Sequence, residues 1–327
     1  MKAIRYHRYG PPDVLELRDV DMPAIGDGDI LVRVRAAAVN PLDWHFMRGT
    51  PYLVRAIGGL SRPKNTGLGV DLAGNVEAVG RNVTRFRPGD DVFGERHGAF
   101  AEHVVMSQDA AVVTKPANLT FEEAASVPVA AITALQALRD KGKLAPGQAA
   151  LVNGAAGGVG TFAVQIAKAF GAEVTGVCST RNVDMVRSIG ADHVVDYTHE
   201  DFLRTGRRYD LVVDIAGGRT LSEMRRVLAP KGVLVGVGGP VTGNWIGPLL
   251  GPIRMLLLSP FVSQTMRPML ARVTRDDLAF LCELLEAGKV TRDRPDVQAR
   301  RGTRGHPLPR GRTRPGKGRH HPVSRRE

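Results

Sequence analysis

The sequence predicts an α/β fold in two parts, a doubly wound parallel sheet and a smaller antiparallel β-barrel. The parallel sheet is indicated by residues 149–238, where short apolar runs alternate with helical patterns, as is typical of strands buried on both faces. The barrel is indicated by residues 14–105, where short strand-like stretches are separated by Gly and Pro. At 327 residues the chain can form two domains, each with its own core.

The antiparallel part comes first in the chain. Residues 29–36 alternate apolar and charged side chains after a Gly-rich turn, which is the pattern of a half-buried strand. Further strands are predicted at residues 14–17, 71–79, 92–94 and 99–105. We therefore expect residues 1–119 to form one domain.

The parallel part begins at Thr120, which precedes two carboxylates and so marks a helix start. Pro128 interrupts this helix, and a second helix is predicted over residues 130–138. A strand over residues 149–153 then ends in clustered glycines, followed by a helix over residues 162–170.

The glycine cluster predicts a dinucleotide site. Because glycine has no Cβ, backbone amides at the start of the helix can approach a phosphate closely. A second strand over residues 173–178 completes the βαβ unit that such sites require. The predicted binding residues are Ala156, Gly157, Gly158, Val159 and Gly160. The alternative is that the glycines serve only a tight turn and close packing of helix against sheet.

The end of the second strand favours NADPH over NADH. NAD sites usually place Asp or Glu there, whereas this strand is followed by Ser179, Thr180 and Arg181. No carboxylate at these positions repels a 2′-phosphate, and Arg181 with Ser179 can bind one through charge-assisted hydrogen bonds. In the alternative reading, Arg181 is a solvated residue at a helix start.

Composition sets limits on the setting of the protein. The chain has two cysteines, Cys178 and Cys282, too few for a disulfide framework or a four-cysteine zinc site, which fits a reducing compartment. The N-terminus lacks the apolar core of a signal peptide. The most apolar stretch, residues 245–262, is interrupted by prolines and an arginine, so we expect no membrane span and a cytoplasmic protein.

Several motifs together carry a family resemblance. They are GPPDVL at residues 10–15, AVNPLD at 38–43, GVDLAG at 69–74, FRPGD at 86–90, AAGGVG at 155–160, and GAD at 190–192 before Tyr197. Over about residues 1–291 the sequence resembles the medium-chain dehydrogenase/reductase superfamily, in its zinc-independent quinone-oxidoreductase branch. The resemblance implies a GroES-like substrate domain over residues 1–119, a Rossmann domain over 120–260, and a segment over 261–291 that returns to the substrate domain.

The resemblance also implies the chemistry. Zinc-bearing relatives would have cysteine at Asn40 and histidine at Val70, so we expect no metal and a direct hydride transfer from NADPH to a quinone or an α,β-unsaturated carbonyl. The expected catalytic residues are Asn40, Asp43, His45 and Tyr52. The residues expected to contact the cofactor besides the glycine turn are Thr133, Tyr197, Gly238 and Gly239. Each of these has an alternative reading as a turn or packing residue.

The last segment, residues 292–327, departs from the family pattern. It carries +9 of the formal net charge of +12 and almost no apolar side chains, so we expect a disordered basic tail. Two readings stay open: a nucleic-acid arm with salt-dependent binding, or a reading-frame artefact, since a one-nucleotide shift permits a strand and an amphipathic helix.

Three functions therefore stand beside one another. The first is the NADPH-dependent quinone or enone reductase, most simply a homodimer. Its rivals are a zinc-dependent alcohol dehydrogenase and an inactive or RNA-binding relative.

Overall fold

The computed structural model describes residues 1–238, 251, 253–255 and 262–291 of the chain. Gly239 and the tail over residues 292–327 lie outside these ranges. Two sheets organise the described part, one parallel and one antiparallel, together with a short antiparallel pair of strands at the N-terminus. No helix in the described ranges combines the length and apolarity that crossing a bilayer requires.

The parallel sheet has six strands in the order β10-β9-β8-β11-β12-β13. This is the doubly wound order of a dinucleotide-binding sheet, in which the strand order reverses beside the first strand, β8. Its strands are β8 (Ala149–Asn153), β9 (Glu173–Cys178), β10 (His193–Asp196), β11 (Tyr209–Asp214), β12 (Leu228–Gly236) and β13 (Thr265–Pro268). The predicted Rossmann fold is confirmed.

The antiparallel sheet has five strands in the order β6-β3-β4-β5-β7. A separate pair, β1 and β2, contacts the segment before β6 through an isolated bridge between Ala3 and Ala101. The strands are β1 (Lys2–Arg5), β2 (Glu16–Asp19), β3 (Asp29–Ala38), β4 (Asp71–Val79), β5 (Asp91–Glu95), β6 (His103–Ser107) and β7 (Val112–Thr114). The predicted antiparallel part is thus present, and the longest contact between its strands is that of β3 with β4.

The helices lie between the strands as the alternating pattern predicts. They are α1 (Pro41–Arg48), α2 (Leu53–Gly58), α3 (Phe121–Ala125), α4 (Pro128–Leu135), α5 (Gly158–Ala169), α6 (Val183–Ser188), α7 (Leu221–Val227) and α8 (Arg275–Glu286). Thr120 caps α3 and forms a capping box with Glu123, as expected from its sequence. Pro128 occupies the first turn of α4, where its missing N–H costs nothing.

Helix α4 joins the two sheets in one continuous core. It packs on α5 of the parallel part, and its buried side chains share a core with Ala73 of β4 and Phe93 of β5. This packing brings the first turn of α4 to the antiparallel sheet and its flank to the helix that follows the glycines.

The segment over residues 262–291 contacts both parts. Strand β13 pairs with β12 and extends the parallel sheet, while α8 packs on α4 and on β7 of the antiparallel sheet. At the end of the segment, the backbone N–H of Thr291 donates to the side-chain oxygen of Gln165 on α5 at 2.7 Å. The domain boundaries stay predictions.

Candidate active site

The glycine turn lies at the carboxyl end of β8, where the strand order reverses. Gly154 has a φ of +93°, a left-handed conformation that favours glycine, and directs the chain out of the strand. The N–H of Ala155 donates to the carbonyl of Val177 on β9 at 3.0 Å, which fixes the turn on the neighbouring strand. Helix α5 then begins with Gly157 as its N-cap.

The glycines of this turn have different tasks. A Cβ on Gly160 would lie 2.1 Å from the carbonyl oxygen of Gly154, so only glycine lets the helix pack this closely on the turn. A Cβ on Gly157 or Gly158 would meet no atom closer than 3.4 Å, and both residues are exposed. The N–H of Gly157 donates to the carbonyl of Gly154 at 3.1 Å, and Gly158 begins α5. The N–H groups at the start of the helix form a cradle that fits the phosphates of a dinucleotide.

The strand end that favours NADPH is also exposed. Ser179, Thr180 and Arg181 follow β9, and the residues from Thr180 to Asn182 form a short turn of 3₁₀-helix. The side-chain amide of Asn182 donates to the hydroxyl of Ser179 at 3.1 Å. In the described part of the chain, the guanidinium of Arg181 forms no ion pair, which leaves this cation available for an anionic ligand.

A carboxylate that the sequence reasoning missed lies beside this turn. Asp196 ends β10 and is paired in register with Cys178, the last residue of β9. The next residue, Tyr197, exposes 60 % of its surface and donates its backbone N–H to the carbonyl of Cys178 at 3.0 Å. The signal for Asp196 is its place after the apolar run of β10, since the carboxyl ends of neighbouring parallel strands share one edge.

A second polar pair was also missed. The side-chain amide of Asn153, at the end of β8, donates to the carboxylate of Asp214, at the end of β11, at 2.7 Å. Burial raises the pKa of Asp214, although the donors Asn153 and Gly217 oppose the shift. Gly238 closes over this region, since its Cβ would lie 2.7 Å from the carbonyl of Ile215.

The two residues expected to orient the substrate meet at the start of α1. The backbone N–H of Asn40, the N-cap residue, donates to the carboxylate of Asp43 at 2.7 Å. Asp43 is 2 % exposed, and burial raises its pKa to about 6 despite hydrogen bonds from the backbone of Asn40 and Gly69. One oxygen of this carboxylate, Oδ1, is buried and has no hydrogen-bond partner among the described residues.

Asp71 adds a second buried carboxylate that sequence reasoning did not select. It is the first residue of β4, accepts from the side-chain amide of Asn40 at 3.0 Å, and accepts from the backbone N–H of Val129 on α4 at 3.2 Å. Its surface is fully buried, and this burial, with the charge of Asp43 nearby, raises its pKa to about 7. Asp71 therefore hydrogen-bonds both to Asn40 and to α4, the helix that joins the two sheets.

His45 lies on α1, two residues after Asp43, and Tyr52 is the N-cap residue of α2. The Nδ1 atom of His45 is 2.7 Å from the carbonyl of Thr50, so it carries the proton of that hydrogen bond and leaves Nε2 as the remaining ring nitrogen. Tyr52 is half-buried, and the guanidinium of Arg55 stacks 4.6 Å from the centroid of its ring. Around them, Val39, Trp44 and Leu53 expose apolar surface.

Thr133 lies inside α4 and is 8 % exposed. Its hydroxyl donates to the carbonyl of Val129 at 2.6 Å, one turn earlier in the helix. Val129 also donates to Asp71, so a single helical turn joins the expected cofactor contact at Thr133 to the carboxylates.

The side chains in this region differ from the ligand set expected in zinc-bearing relatives. Residues 40 and 70 are an amide and a valine, where a zinc site would need a thiolate and an imidazole. In the ranges that the structure describes, no group of at least three His, Cys, Asp or Glu side chains is placed to hold a metal ion.

Comparisons with known proteins agree with this architecture. A family model described as "Alcohol dehydrogenase GroES-like domain" matches residues 26–117, and one described as "Zinc-binding dehydrogenase" matches residues 158–259. The quinone oxidoreductase of Pseudomonas aeruginosa is 38 % identical over 75 % of this chain and 77 % of its own length. The 2-methylene-furan-3-one reductase of Solanum lycopersicum is 36 % identical over 74 % of this chain and 63 % of its own length.

A solved structure extends the comparison to the fold. The quinone oxidoreductase of Escherichia coli, complexed with NADPH, is 25 % identical, covers 91 % of this chain with 92 % of its own, and superimposes with a TM-score of 0.76. The strand order, the glycine turn and these matches lead to one conclusion. The chain belongs to the medium-chain dehydrogenase/reductase superfamily, in its quinone-oxidoreductase branch, and is an oxidoreductase with a nicotinamide cofactor.

Proposed function

We propose that the protein is an NADPH-preferring, metal-independent reductase of quinones or α,β-unsaturated carbonyls. The observation that carries the proposal is the pairing of two sites. Exposed glycines begin α5 at the edge of the parallel sheet, and a carboxylate and amide cluster lies where α4 meets the antiparallel sheet. The relatives named as a quinone oxidoreductase and a furanone reductase support the same substrate class.

The preference for NADPH is supported by the residues after β9. Ser179 offers a hydroxyl, Arg181 offers a guanidinium that forms no ion pair with the described residues, and the strand itself ends without a carboxylate. A 2′-phosphate carries the negative charge that a guanidinium binds through paired hydrogen bonds. Gly157 and Gly158 would hold the phosphates that join the two nucleotides.

The chemistry is divided between the cofactor and the chain. When bound, the nicotinamide supplies the hydride. The chain's part is to hold the acceptor and to stabilise the negative charge that develops on its carbonyl oxygen. Asn40 is held from both sides, at its backbone by Asp43 and at its side chain by Asp71, and this fixes the orientation of its amide. We propose Asn40 and Asp43 as substrate-orienting residues, with His45 and Tyr52 at the entrance.

The metal-free mechanism is supported by the side chains at residues 40 and 70, which are an amide and a valine. A conjugated carbonyl accepts a hydride once it is oriented and its oxygen is stabilised, so the reaction does not need the Lewis acid that an alcohol dehydrogenase uses. Metal analysis of the purified protein tests this point directly. One equivalent of bound zinc that is required for turnover would contradict it.

The central experiment compares NADPH with NADH on a panel of quinones and enones. We expect a higher kcat/KM with NADPH, and we expect Arg181→Ala to raise the KM for NADPH about tenfold, because a hydrogen bond between charged groups is lost. Arg81→Ala, which removes an exposed arginine paired with Asp27, is the matched control. Equal efficiency with both cofactors, or an unchanged KM in Arg181→Ala, would contradict the NADPH preference.

We also propose a cytoplasmic homodimer, as expected from the sequence. Nucleic-acid binding through residues 292–327 stays a prediction, because that segment lies outside the described residues.

A further inference from the structure

Two threonines and a carboxylate form a hydrogen-bonded chain beside the turn that carries Arg181. The hydroxyl of Thr198 donates to Oδ1 of Asp196 at 2.7 Å, and the backbone N–H of Thr198 donates to the same oxygen at 3.0 Å. The hydroxyls of Thr180 and Thr198 are 2.8 Å apart. Since Thr198 uses its only hydroxyl proton on Asp196, Thr180 is the donor of that second bond.

These hydrogen bonds link the end of β9 to the end of β10, where the adenosine ribose of the cofactor is expected. Thr180 belongs to the 3₁₀ turn after β9 that also holds Arg181, whereas Asp196 and Thr198 belong to the end of β10. The other carboxylate oxygen of Asp196 lies 3.8 Å from Nε2 of the exposed His199. Asp196 is half-buried, and although burial opposes the shift, the hydrogen bonds that Thr198 donates lower its pKa. Asp196 is therefore a negative charge that is held by donors.

The charge of Asp196 opposes a 2′-phosphate at this edge of the sheet, and hydroxyl donors reduce that opposition. A carboxylate whose lone pairs accept hydrogen bonds has less capacity to bind ribose hydroxyls, which is how an acid at this edge selects NAD. It also presents a weaker field to a nearby anion, because the donor dipoles point at it.

We propose that Asp196 is a cofactor-specificity residue and that Thr198, supported by Thr180, screens its charge so that a 2′-phosphorylated nucleotide binds. The inference rests on the proposed cofactor site, and it assigns to this cluster a role that neither Ser179 nor Arg181 provides. The two residues should be coupled: Thr198 affects the affinity for the 2′-phosphate only while residue 196 is negatively charged.

The test measures binding of two fragments rather than turnover. Isothermal titration calorimetry gives the Kd of adenosine 2′,5′-bisphosphate and of 5′-AMP, which differ by the 2′-phosphate alone. Thr198→Val removes the hydroxyl with little change in shape. We expect it to raise the Kd of the bisphosphate about tenfold, with 5′-AMP unchanged, because the carboxylate of Asp196 loses its screening donor and repels the 2′-phosphate more strongly. Asp196→Asn should lower the Kd of the bisphosphate about threefold by removing the repulsion.

The double variant Asp196→Asn/Thr198→Val separates charge from structure. If Thr198 screens a charge, its loss has no effect on the bisphosphate when residue 196 is neutral, so the double variant should match Asp196→Asn within about twofold. Thr205→Val, which removes a hydroxyl bonded to the carbonyl of Phe202, is the matched control and should bind both fragments as the unmodified protein does.

Additive effects of the two substitutions, or a weakening of both fragments by Thr198→Val, would overturn the inference, because either result means that Thr198 only shapes the turn. The proposed NADPH preference fails by a different result, namely equal affinity of the unmodified protein for the two fragments. A strong coupling on the bisphosphate with equal affinities would leave the inference intact and refute the preference.

Discussion

Two regions differ in their chemistry: the edge of the parallel sheet, which carries the glycine turn, and the junction between the two sheets, which carries Asn40, Asp43 and Asp71. The edge offers backbone N–H groups on exposed glycines and charged side chains at the surface, and its close packing depends on one glycine. The junction offers Asp43 and Asp71, two buried carboxylates whose pKa values are raised, held by the side chain and backbone of Asn40 and by Val129.

Because of this difference, the glycine turn acts mainly through its shape and the junction acts through charge. A dinucleotide brings its own charge and needs N–H groups and space at the glycine turn, so this turn can be sensitive to a single added methyl group. The junction has to stabilise a charge that develops on a substrate, so its sensitivity is to protonation. The two regions should therefore respond to different perturbations.

The largest expected effect is that of a methyl group at residue 160. Gly160→Ala places a Cβ 2.1 Å from the Gly154 carbonyl oxygen, so the turn or α5 has to move. Overpacking of this kind costs about 3 kcal/mol of unfolding free energy. Urea denaturation monitored by circular dichroism measures it.

Gly158→Ala is the matched control for this prediction, because its Cβ would meet only Ala130, at 4.0 Å. We expect its unfolding free energy to change by less than about 1 kcal/mol, since alanine favours a helix more than glycine does. Its affinity for NADPH should fall, because the added methyl group lies in the open cradle. Equal destabilisation by Gly158→Ala and Gly160→Ala would contradict the different roles assigned to these two glycines.

A smaller effect, of opposite kind, is expected at the junction. The native carboxyl of Asp71 keeps its proton up to about pH 7, whereas its ordinary pKa is 3.8. Between these values the folded state binds more protons than the unfolded state, so stability falls as pH rises. From pH 5 to pH 8 this group should lower the unfolding free energy by about 2 kcal/mol.

Asp71→Asn should flatten this pH dependence, which thermal unfolding at several pH values measures. Asp43, with a pKa raised to about 6, contributes a slope of the same sign, so a part of the dependence remains in the variant. The fully exposed Asp184 is the control, and Asp184→Asn should leave the slope unchanged. A stability that rises from pH 5 to pH 8 equally in the unmodified protein and in Asp71→Asn would contradict the assignment.

The glycine edge could be predicted because its determinants lie close together in the sequence. The strand, turn and helix over residues 149–170 are recognised from local order, and their fold is confirmed. Prediction was less accurate where proline acts at a boundary. Pro128 begins α4 rather than only interrupting a helix, and Pro12 begins a 3₁₀ turn, so the strand predicted at residues 14–17 is β2, over Glu16–Asp19.

The junction could be predicted only in part, because its contacts are long-range. Asn40 and Asp43 were selected through the family resemblance, but Asp71 lies 31 residues from Asn40 and 58 from Val129. Nothing in the strand pattern of residues 71–79 says that its first carboxylate meets a helix N-terminus. Asp196 could not be recognised for a related reason, since only the parallel register of β10 on β9 pairs it with Cys178, the residue before Ser179. Site residues on separate segments need the tertiary structure to be recognised.

The smallest expected effect is that of removing the hydroxyl of Tyr52. Arg55 stacks on the rings of both Tyr52 and Tyr9, so the ring of residue 52 has a packing role independent of its hydroxyl. Tyr52→Phe keeps that stacking and should leave the thermal midpoint within about 2 °C. If the hydroxyl contacts the substrate at the proposed entrance, kcat/KM falls about fivefold at unchanged affinity for NADPH, the size of one neutral hydrogen bond. An unchanged kcat/KM would restrict Tyr52 to packing and confine substrate orientation to the carboxylates and amide behind it, where charge rather than shape decides.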